Sequence, residues 1–191
     1  MSFPWAQHYE PKAPFMRWLD DTDLQFAFRT WLRPGPVPGP EKAFYTCNLS
    51  MSREAFAAVG GFDERFPYPA YEDVELGWRL GQRGFRLVFD PEALAFHARA
   101  VDLETFCART SFVAESAALL RVARPEVPVE IGSPPDGVRQ ALLRSALRSV
   151  SSRRPQLFGR DVRSRYYWTE IEHAMAVGLR RAGFQPGQAP A

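Results

Sequence analysis

The sequence predicts an α/β chain with a helical C-terminal extension, and three observations support this fold class. Residues 85–89 (FRLVF) alternate apolar and polar side chains, which is typical of a half-buried strand. Leu76 and Leu80 lie four residues apart, on one face of a predicted helix. Longer helical patterns, separated by proline- and glycine-rich segments, fill the rest of the chain at about residues 103–123, 138–150 and 162–181.

The first 40 residues predict one short helix and one loop. The helix spans about Phe15–Trp31. Residues 33–40 (RPGPVPGP) contain four prolines, which remove backbone donors and fix φ, so this segment is neither a helix nor a central strand. We expect it to be a loop or linker.

The next segment predicts a strand followed by a short helix. Ala43–Ser50 (AFYTCNLS) is rich in residues that favour strands. Ser52 is a typical helix N-cap, and Gly60-Gly61 are typical of the end of the helix that it begins. A strand, a helix and a loop are therefore expected over residues 43–61.

A second helix is predicted at about residues 73–83. Within it Glu75 and Arg79 have the i,i+4 spacing of an ion pair, either on the helix surface or buried. Gly84 ends this helix, and the strand at residues 85–89 follows. A second short apolar stretch, Ala93–His97, comes after the turn that Asp90-Pro91 predicts.

The composition indicates a globular chain that stays inside the cell. Of its 191 residues 46% are hydrophobic and 24% are charged, which is too apolar for a disordered chain. No apolar run approaches the roughly 20 residues that span a bilayer, and the first residues lack a signal-peptide pattern. Cys47 and Cys107 belong to no Cys/His array, so we expect reduced thiols, no zinc site and a cytoplasmic protein.

Charge is distributed unevenly, because residues 139–181 carry ten arginines against three acidic residues. No nucleic-acid motif accompanies them, so we expect no nucleic-acid partner. One interpretation is that these helices cover a sheet and turn their arginines to solvent. The alternative is peripheral contact with anionic lipid at the inner membrane surface. The basic and aromatic residues concerned are Arg139, Arg144, Arg148, Arg163, Arg165, Leu142, Leu143, Leu147, Tyr166, Tyr167 and Trp168.

Five short motifs follow one another between Asn48 and His97. They read N-x-S-x-x-R, V-G-G-F-D-E-x-F, E-D-x-E-L-x-x-R-L, G-x-R-L and P-x-A with a final histidine. In this order they resemble the acceptor-side half of family 2 glycosyltransferases and the galactosyltransferase C-terminal domain. The resemblance covers about Ala43 to Arg109.

The resemblance implies a fold and an activity. It implies a partial GT-A fold over residues 1–124, with a helical extension over residues 125–191. It also implies transfer of a sugar, with inversion, from a nucleotide-diphosphate sugar to a hydroxyl of a glycan or lipid-linked acceptor. A divalent cation, Mn²⁺ or Mg²⁺, belongs to this chemistry.

Asp73 matches the position of the family's general base. A sugar hydroxyl is a poor nucleophile until a carboxylate accepts its proton, and the positive end of a helix keeps such a carboxylate ionised. Glu72 beside it is the expected ligand for acceptor hydroxyls. The alternative for Asp73 is a helix N-cap, and one residue can fill both roles.

Three further residues have two interpretations each. His97 matches a metal ligand of the family, or it is a strand-end histidine bonded to backbone. Asn48 bonds a sugar or phosphate, or it forms a turn. Tyr71 stacks on a sugar ring together with Tyr68, or both rings pack against the protein.

The acidic D-x-D motif of a nucleotide-sugar site is the element for which the sequence offers no good match. Asp21-x-Asp23 has the right spacing, but no apolar strand precedes it, so we interpret it as a helix segment or cap. We therefore expect transfer to need a donor-binding half, supplied by a partner protein. Where that half is missing, we expect exposed apolar surface, which a homodimer would cover. The competing interpretation is a non-catalytic carbohydrate-binding or interaction module.

Overall fold

The computed structural model describes residues 13–25, 32–93, 95, 100–129, 132, 134–135, 137–153 and 159–184. These residues form six α-helices and one small sheet. The elements in chain order are α1 Pro14–Thr22, β1 Gly35–Pro36, α2 Arg53–Ala58, α3 Glu72–Gln82, β2 Val88–Phe89, α4 Leu103–Ala123, α5 Val138–Arg153 and α6 Arg160–Arg181, with short 3-10 helices at Pro40–Lys42 and Thr46–Asn48.

The chain divides into two compact units. The first contains Met1–Ala100 and Arg124–Val129, and the second contains Val101–Ala123 and Glu130–Ala191. The sequence-based division at residue 124 remains a prediction, since the compact units describe packing rather than family boundaries. None of the helices in the described ranges is long and apolar enough to cross a membrane.

The sheet of the first unit consists of β1 and β2 alone among the described residues. The strands are antiparallel, with Gly35 opposite Phe89 and Pro36 opposite Val88. Both strands are edges, so a proline is tolerated in β1. The segment 33–40 thus contains no helix before Pro40, as predicted, but it supplies a strand where we expected only a loop. The fold is mostly helical with one small sheet.

The predicted strand over Ala43–Ser50 is wrong. Ala43 and Phe44 are buried, and Thr46–Asn48 turns as a 3-10 helix. Phe44 packs with Ala55, Leu76 and Leu80, so its apolar side chain serves a helix-lined core rather than a sheet. Residues favour strands largely because their side chains fit a half-buried pleated surface. Here Phe44 packs on helices instead.

The other elements of the first unit lie close to their predicted positions. Helix α1 ends at Thr22, and the part of its predicted range at residues 26–31 lies outside the described residues. Helix α2 begins at the predicted cap, because the Ser52 hydroxyl accepts a hydrogen bond from the Ala55 N–H at 3.1 Å. Of the predicted strand at residues 85–89, only Val88–Phe89 pairs.

Helix α3 packs closely on the segment before α2. A Cβ at Gly77 would lie 2.6 Å from the Cβ of Phe44, so the glycine permits the approach. Leu76 and Leu80 face the same core, as their spacing predicted. The buried stripe fixes which side of α3 turns inward and leaves its N-terminus at the edge of the core.

The second unit contains α4, α5 and α6, close to their predicted ranges. Helices α4 and α6 pack through small residues, among which Ala114 and Ala118 join Leu179 in one cluster. A Cβ at Gly178 would lie 2.0 Å from the backbone oxygen of Ser111. Only a glycine at this position allows the two helix backbones to come so close.

Candidate active site

The N-terminus of α3 presents the acidic residues that the sequence singled out. Glu72 and Asp73 form the first turn of the helix, where negative side chains oppose the positive end of the helix dipole. Tyr71 precedes them in the left-handed region with φ 66°. This conformation is rare for a bulky residue, and such strain is concentrated at functional sites.

Asp73 is half-buried in that first turn. Its Oδ1 accepts a hydrogen bond from the Val74 N–H at 2.8 Å, which fixes the orientation of the carboxylate. Tyr71 occupies the N-cap position of α3. The alternative in which Asp73 is the helix N-cap is therefore wrong, while its predicted place at the positive end of the helix is correct.

Two tyrosine hydroxyls lie within electrostatic reach of Asp73. Burial, followed by the charge of Asp73, raises the pKa of Tyr45 to about 12. The pKa of Tyr71 is raised by the same two causes in the same order. Both phenols therefore lose their proton only above their usual pH range, and each is an O–H donor at neutral pH.

Asn48 lies in the 3-10 turn Thr46–Asn48 and is half-buried. Its Nδ2 donates a hydrogen bond to the carbonyl oxygen of Ala93 at 2.8 Å. This bond ties two segments 45 residues apart and gives Asn48 a structural contact of its own. Its predicted role in sugar or phosphate binding remains a prediction.

The predicted metal ligand His97 lies outside the described residues. Within the described part of the chain, no group of three or more His, Cys, Asp and Glu side chains is placed to hold a metal ion. Asp21 lies in the last turn of α1 and Asp23 is its C-cap with φ 51°, as expected for a helix segment and cap rather than a D-x-D motif. The described side chains therefore do not by themselves fit a divalent cation.

The sequence profile of the family described as "Glycosyltransferase like family 2" matches residues 19–123, more than half of the chain. The chain belongs to the family 2-like glycosyltransferases. The match includes the α3 N-terminus, with Tyr71, Glu72 and Asp73, and it confirms the family that the motifs indicated.

Several curated glycosyltransferases resemble a part of this chain. The pre-mycofactocin glycosyltransferase of Mycobacterium tuberculosis is 40% identical over 84 residues, which is 44% of this chain and 17% of that protein. The N-acetylglucosaminyl-diphospho-decaprenol L-rhamnosyltransferase of the same species is 48% identical over 52 residues, 27% of this chain and 17% of that protein. The validoxylamine A glucosyltransferase of Streptomyces hygroscopicus is 40% identical over 55 residues, 29% of this chain and 13% of that protein.

The matched segments thus span less than a fifth of these relatives. No solved structure matches the chain. The chain therefore belongs to a transferase family. Its complete reaction and its substrates are proposals.

In this glycosyltransferase-like chain, an ion-pair network holds the helix that carries Asp73. Glu75 is 0% exposed, and Arg79 binds its two carboxylate oxygens, with Nε–Oε1 at 2.7 Å and Nη2–Oε2 at 2.6 Å. The predicted pair is confirmed and is buried. Arg124 adds a second cation, with its Nε 3.1 Å from Oε1 of Glu75.

Arg79 also holds the turn that contains the V-G-G-F-D motif. It donates hydrogen bonds to the carbonyl oxygens of Val59 and, at 2.7 Å, of Gly61. Gly60 and Gly61 both have positive φ, as a chain reversal at this point requires. No signal in the sequence predicts these backbone contacts or the contact with Arg124, because 18 to 49 residues separate the partners.

Asp63 ends this turn with an ion pair between its half-buried carboxylate and the exposed side chain of Arg65. Hydrogen bonds from the Arg65 side chain, with Nη2–Oδ2 at 2.6 Å, lower the pKa of Asp63 to about 2. The carboxylate is therefore ionised throughout the physiological range. Its partner is two residues away, so we assign it to the local structure of the turn and not to chemistry.

Proposed function

We propose that this chain supplies the acceptor-binding part of an inverting glycosyltransferase with a partial GT-A fold. The observation that carries the proposal is the α3 N-terminus, where Glu72 and Asp73 follow Tyr71, which is held at φ 66°. Burial and the charge of Asp73 raise the pKa of both Tyr45 and Tyr71. Family membership supplies the reaction class. The activity of a complete transferase is the proposal.

Asp73 is the proposed general base. The acceptor hydroxyl gives its proton to this carboxylate while its oxygen forms a bond to the anomeric carbon of the donor sugar. The bond from that carbon to the diphosphate breaks on the opposite face, which inverts the configuration. The helix N-terminus favours the ionised form of Asp73, and the Val74 N–H holds Oδ1 in place.

The neighbours of Asp73 position the acceptor in this proposal. Glu72 accepts hydrogen bonds from acceptor hydroxyls next to the one that reacts, and the ring of Tyr71 packs on a sugar face. Asn48 contributes a polar edge from the 3-10 turn. Orientation of this kind contributes to rate because it removes the entropy cost of aligning the reacting atoms.

The nucleotide-diphosphate sugar and Mn²⁺ or Mg²⁺ are assigned to a donor-binding half. That half is supplied by a partner protein or by another part of a longer polypeptide. His97 is the metal ligand proposed for this chain. The acceptor class is a glycan or a lipid-linked glycan.

The test uses the full chain isolated with any partners from its source cell. Release of nucleoside diphosphate from UDP-glucose and dTDP-rhamnose is measured with added Mn²⁺ and with a glycan acceptor. Asp73→Asn should lower turnover by about 10²–10⁴-fold, the usual contribution of a general base. The matched control Asp90→Asn changes an exposed aspartate of the same unit and should leave turnover intact.

Two outcomes contradict this assignment. Undiminished turnover by Asp73→Asn removes Asp73 from the role of base. Glycan binding without turnover, in preparations that retain every partner, favours the carbohydrate-binding module instead.

A further inference from the structure

The short segment Arg124–Val129, which follows α4, packs with the first unit. Val127 is 2% exposed, so its side chain fixes the segment in that unit. The Val127 N–H donates a hydrogen bond to the carbonyl oxygen of Arg124 at 3.0 Å. The backbone of Arg124 is therefore held next to a buried residue, and its side chain starts from a fixed position.

Arg124 binds Glu75 from outside α3. Its Nε lies 3.1 Å from Oε1 of Glu75, whose side chain is 0% exposed. Arg79 binds the same carboxylate from one turn later on α3, and it attaches that part of the helix to the carbonyl oxygens of Val59 and Gly61. Arg124 thus gives Glu75 a direct contact with a second, distant segment.

Glu75 closes the turn of α3 that contains Asp73. Its N–H donates a hydrogen bond to the carbonyl oxygen of Tyr71 at 3.0 Å, and Glu72 and Asp73 lie between the two. Tyr71 has φ 66°, a conformation that a bulky residue keeps only where its surroundings hold it. A fixed Glu75 therefore holds the carbonyl group of Tyr71, and with it the backbone of the two acidic residues.

Loss of the Arg124 side chain would leave Glu75 with a cation. Arg79 still binds both carboxylate oxygens, at 2.7 and 2.6 Å, so we expect the chain to keep its fold. The orientation of the carboxylate would change, because Oε1 accepts hydrogen bonds from both arginines. The first turn of α3 would then lose one of the contacts that fix it.

We infer that Arg124 is a positioning residue, which holds the first turn of α3 so that Asp73 keeps its orientation toward the acceptor hydroxyl. This role rests on the proposed function, in which Asp73 is the general base. Arg124 directly follows residues 19–123, which match the family. A reacting group that is misplaced by about 1 Å can lower the rate by about a hundredfold.

Hydrogen exchange at the Glu75 amide tests the structural part of this role in the full chain. Arg124→Gln should accelerate exchange there by about tenfold or more, the effect of losing a hydrogen bond between charged groups. Arg124→Lys keeps one charged donor and should accelerate it less. The matched control Arg83→Gln changes an exposed arginine at the C-cap of α3 and should leave this amide unchanged.

Turnover separates positioning from folding. Release of nucleoside diphosphate from UDP-glucose and dTDP-rhamnose is measured with the partners of the source cell retained, and is expressed per folded chain as given by urea unfolding. Arg124→Gln should lower kcat by about tenfold to a hundredfold with little change in KM. Arg124→Lys should recover most of this loss, and Arg83→Gln should turn over as the original chain does.

The outcomes distinguish this role from the proposed function. Full turnover by Arg124→Gln, with Asp73→Asn inactive, overturns the positioning role and leaves the proposed function intact. Unchanged exchange at the Glu75 amide in Arg124→Gln overturns the role as well, whether or not the chain turns over. Full turnover by Asp73→Asn contradicts the proposed function, and the role of Arg124 fails with it.

Discussion

Each of the two units contains a buried glutamate held by two arginines. The two ion-pair networks differ in how much of their arginine side chains is exposed to solvent. In the first unit Glu75 is bound by Arg79 and Arg124. In the second unit Glu170 is bound by Arg148 and, at a longer distance, by Arg144. The same side-chain chemistry is thus used twice.

The two networks differ in the exposure and the contacts of their arginine side chains. The Arg79 side chain is 17% exposed and also binds the backbone of Val59 and Gly61, so it connects α3 to a turn far away in the sequence. The Arg148 side chain is 58% exposed and joins the neighbouring helices α5 and α6. A carboxylate surrounded by buried partners stabilises tertiary structure, whereas one whose partners reach water contributes less.

The largest expected effect comes from removing the first carboxylate. Glu75→Ala leaves Arg79 and Arg124 without their acceptor, and should cost about 3–5 kcal/mol of unfolding free energy. Glu170→Ala should cost about 1 kcal/mol, since water replaces the carboxylate at the exposed Arg148. Amide hydrogen exchange measures both, because it follows α3 and α6 separately.

Glu75→Gln is the control for this comparison, because it keeps the shape and one acceptor and should give an intermediate loss. Equal losses of protection for Glu75→Ala and Glu170→Ala would show that the depth of the network does not set its contribution.

A smaller effect is expected at the two close helix contacts. Gly178→Ala places a Cβ 2.0 Å from the Ser111 carbonyl oxygen, so α4 and α6 must separate, at a cost of about 1–3 kcal/mol. Gly77→Ala meets the Phe44 side chain at 2.6 Å and should cost less, because Phe44 lies outside any helix or strand and its segment can shift. Urea unfolding measures each variant.

The control for these glycines is Gly159→Ala. Nothing lies within 4 Å of a Cβ there and φ is −57°, so the change should stay within about 1 kcal/mol. A loss at Gly159 as large as that at Gly178 would mean that chain flexibility, rather than helix contact, explains the result.

The smallest expected effect is a difference in alkylation rate between the two cysteines, without a change in fold. Cys47 in the first unit is exposed, whereas Cys107 in the second is half-buried. Burial, followed by the charge of Glu170, raises the pKa of Cys107 to about 12, so its reactive thiolate forms only in strong alkali.

Iodoacetamide at pH 8 should therefore modify Cys107 more than about tenfold more slowly than Cys47, as measured by mass spectrometry of the peptides. Raising the pH should accelerate the reaction at Cys107, and Glu170→Ala should accelerate it further. Equal rates at pH 8 would show that the thiol of Cys107 is not protected by its surroundings.

Local features of the fold were predictable because local spacing decides them. The Ser52 cap, the end of α2 at Gly60-Gly61 and the Glu75–Arg79 pair each depend on residues at most four apart. The family could also be recognised from the sequence, since its motifs follow one another in the chain. The strand predicted at Ala43–Ser50 is wrong because Phe44 packs against α3. Strand propensity carries no information about such a contact with a distant segment.

The sequence by itself determined where most helices begin and end, to which family the chain belongs and which acidic residues lead α3. Tertiary structure alone decided that Arg124 joins Glu75, that Tyr45 lies within reach of the charge of Asp73 and that α5 turns Leu142 outward. The physical reason is distance along the chain. A helix cap or an i,i+4 pair forms within one turn, but contacts between distant residues form only when the packing of the core brings them together.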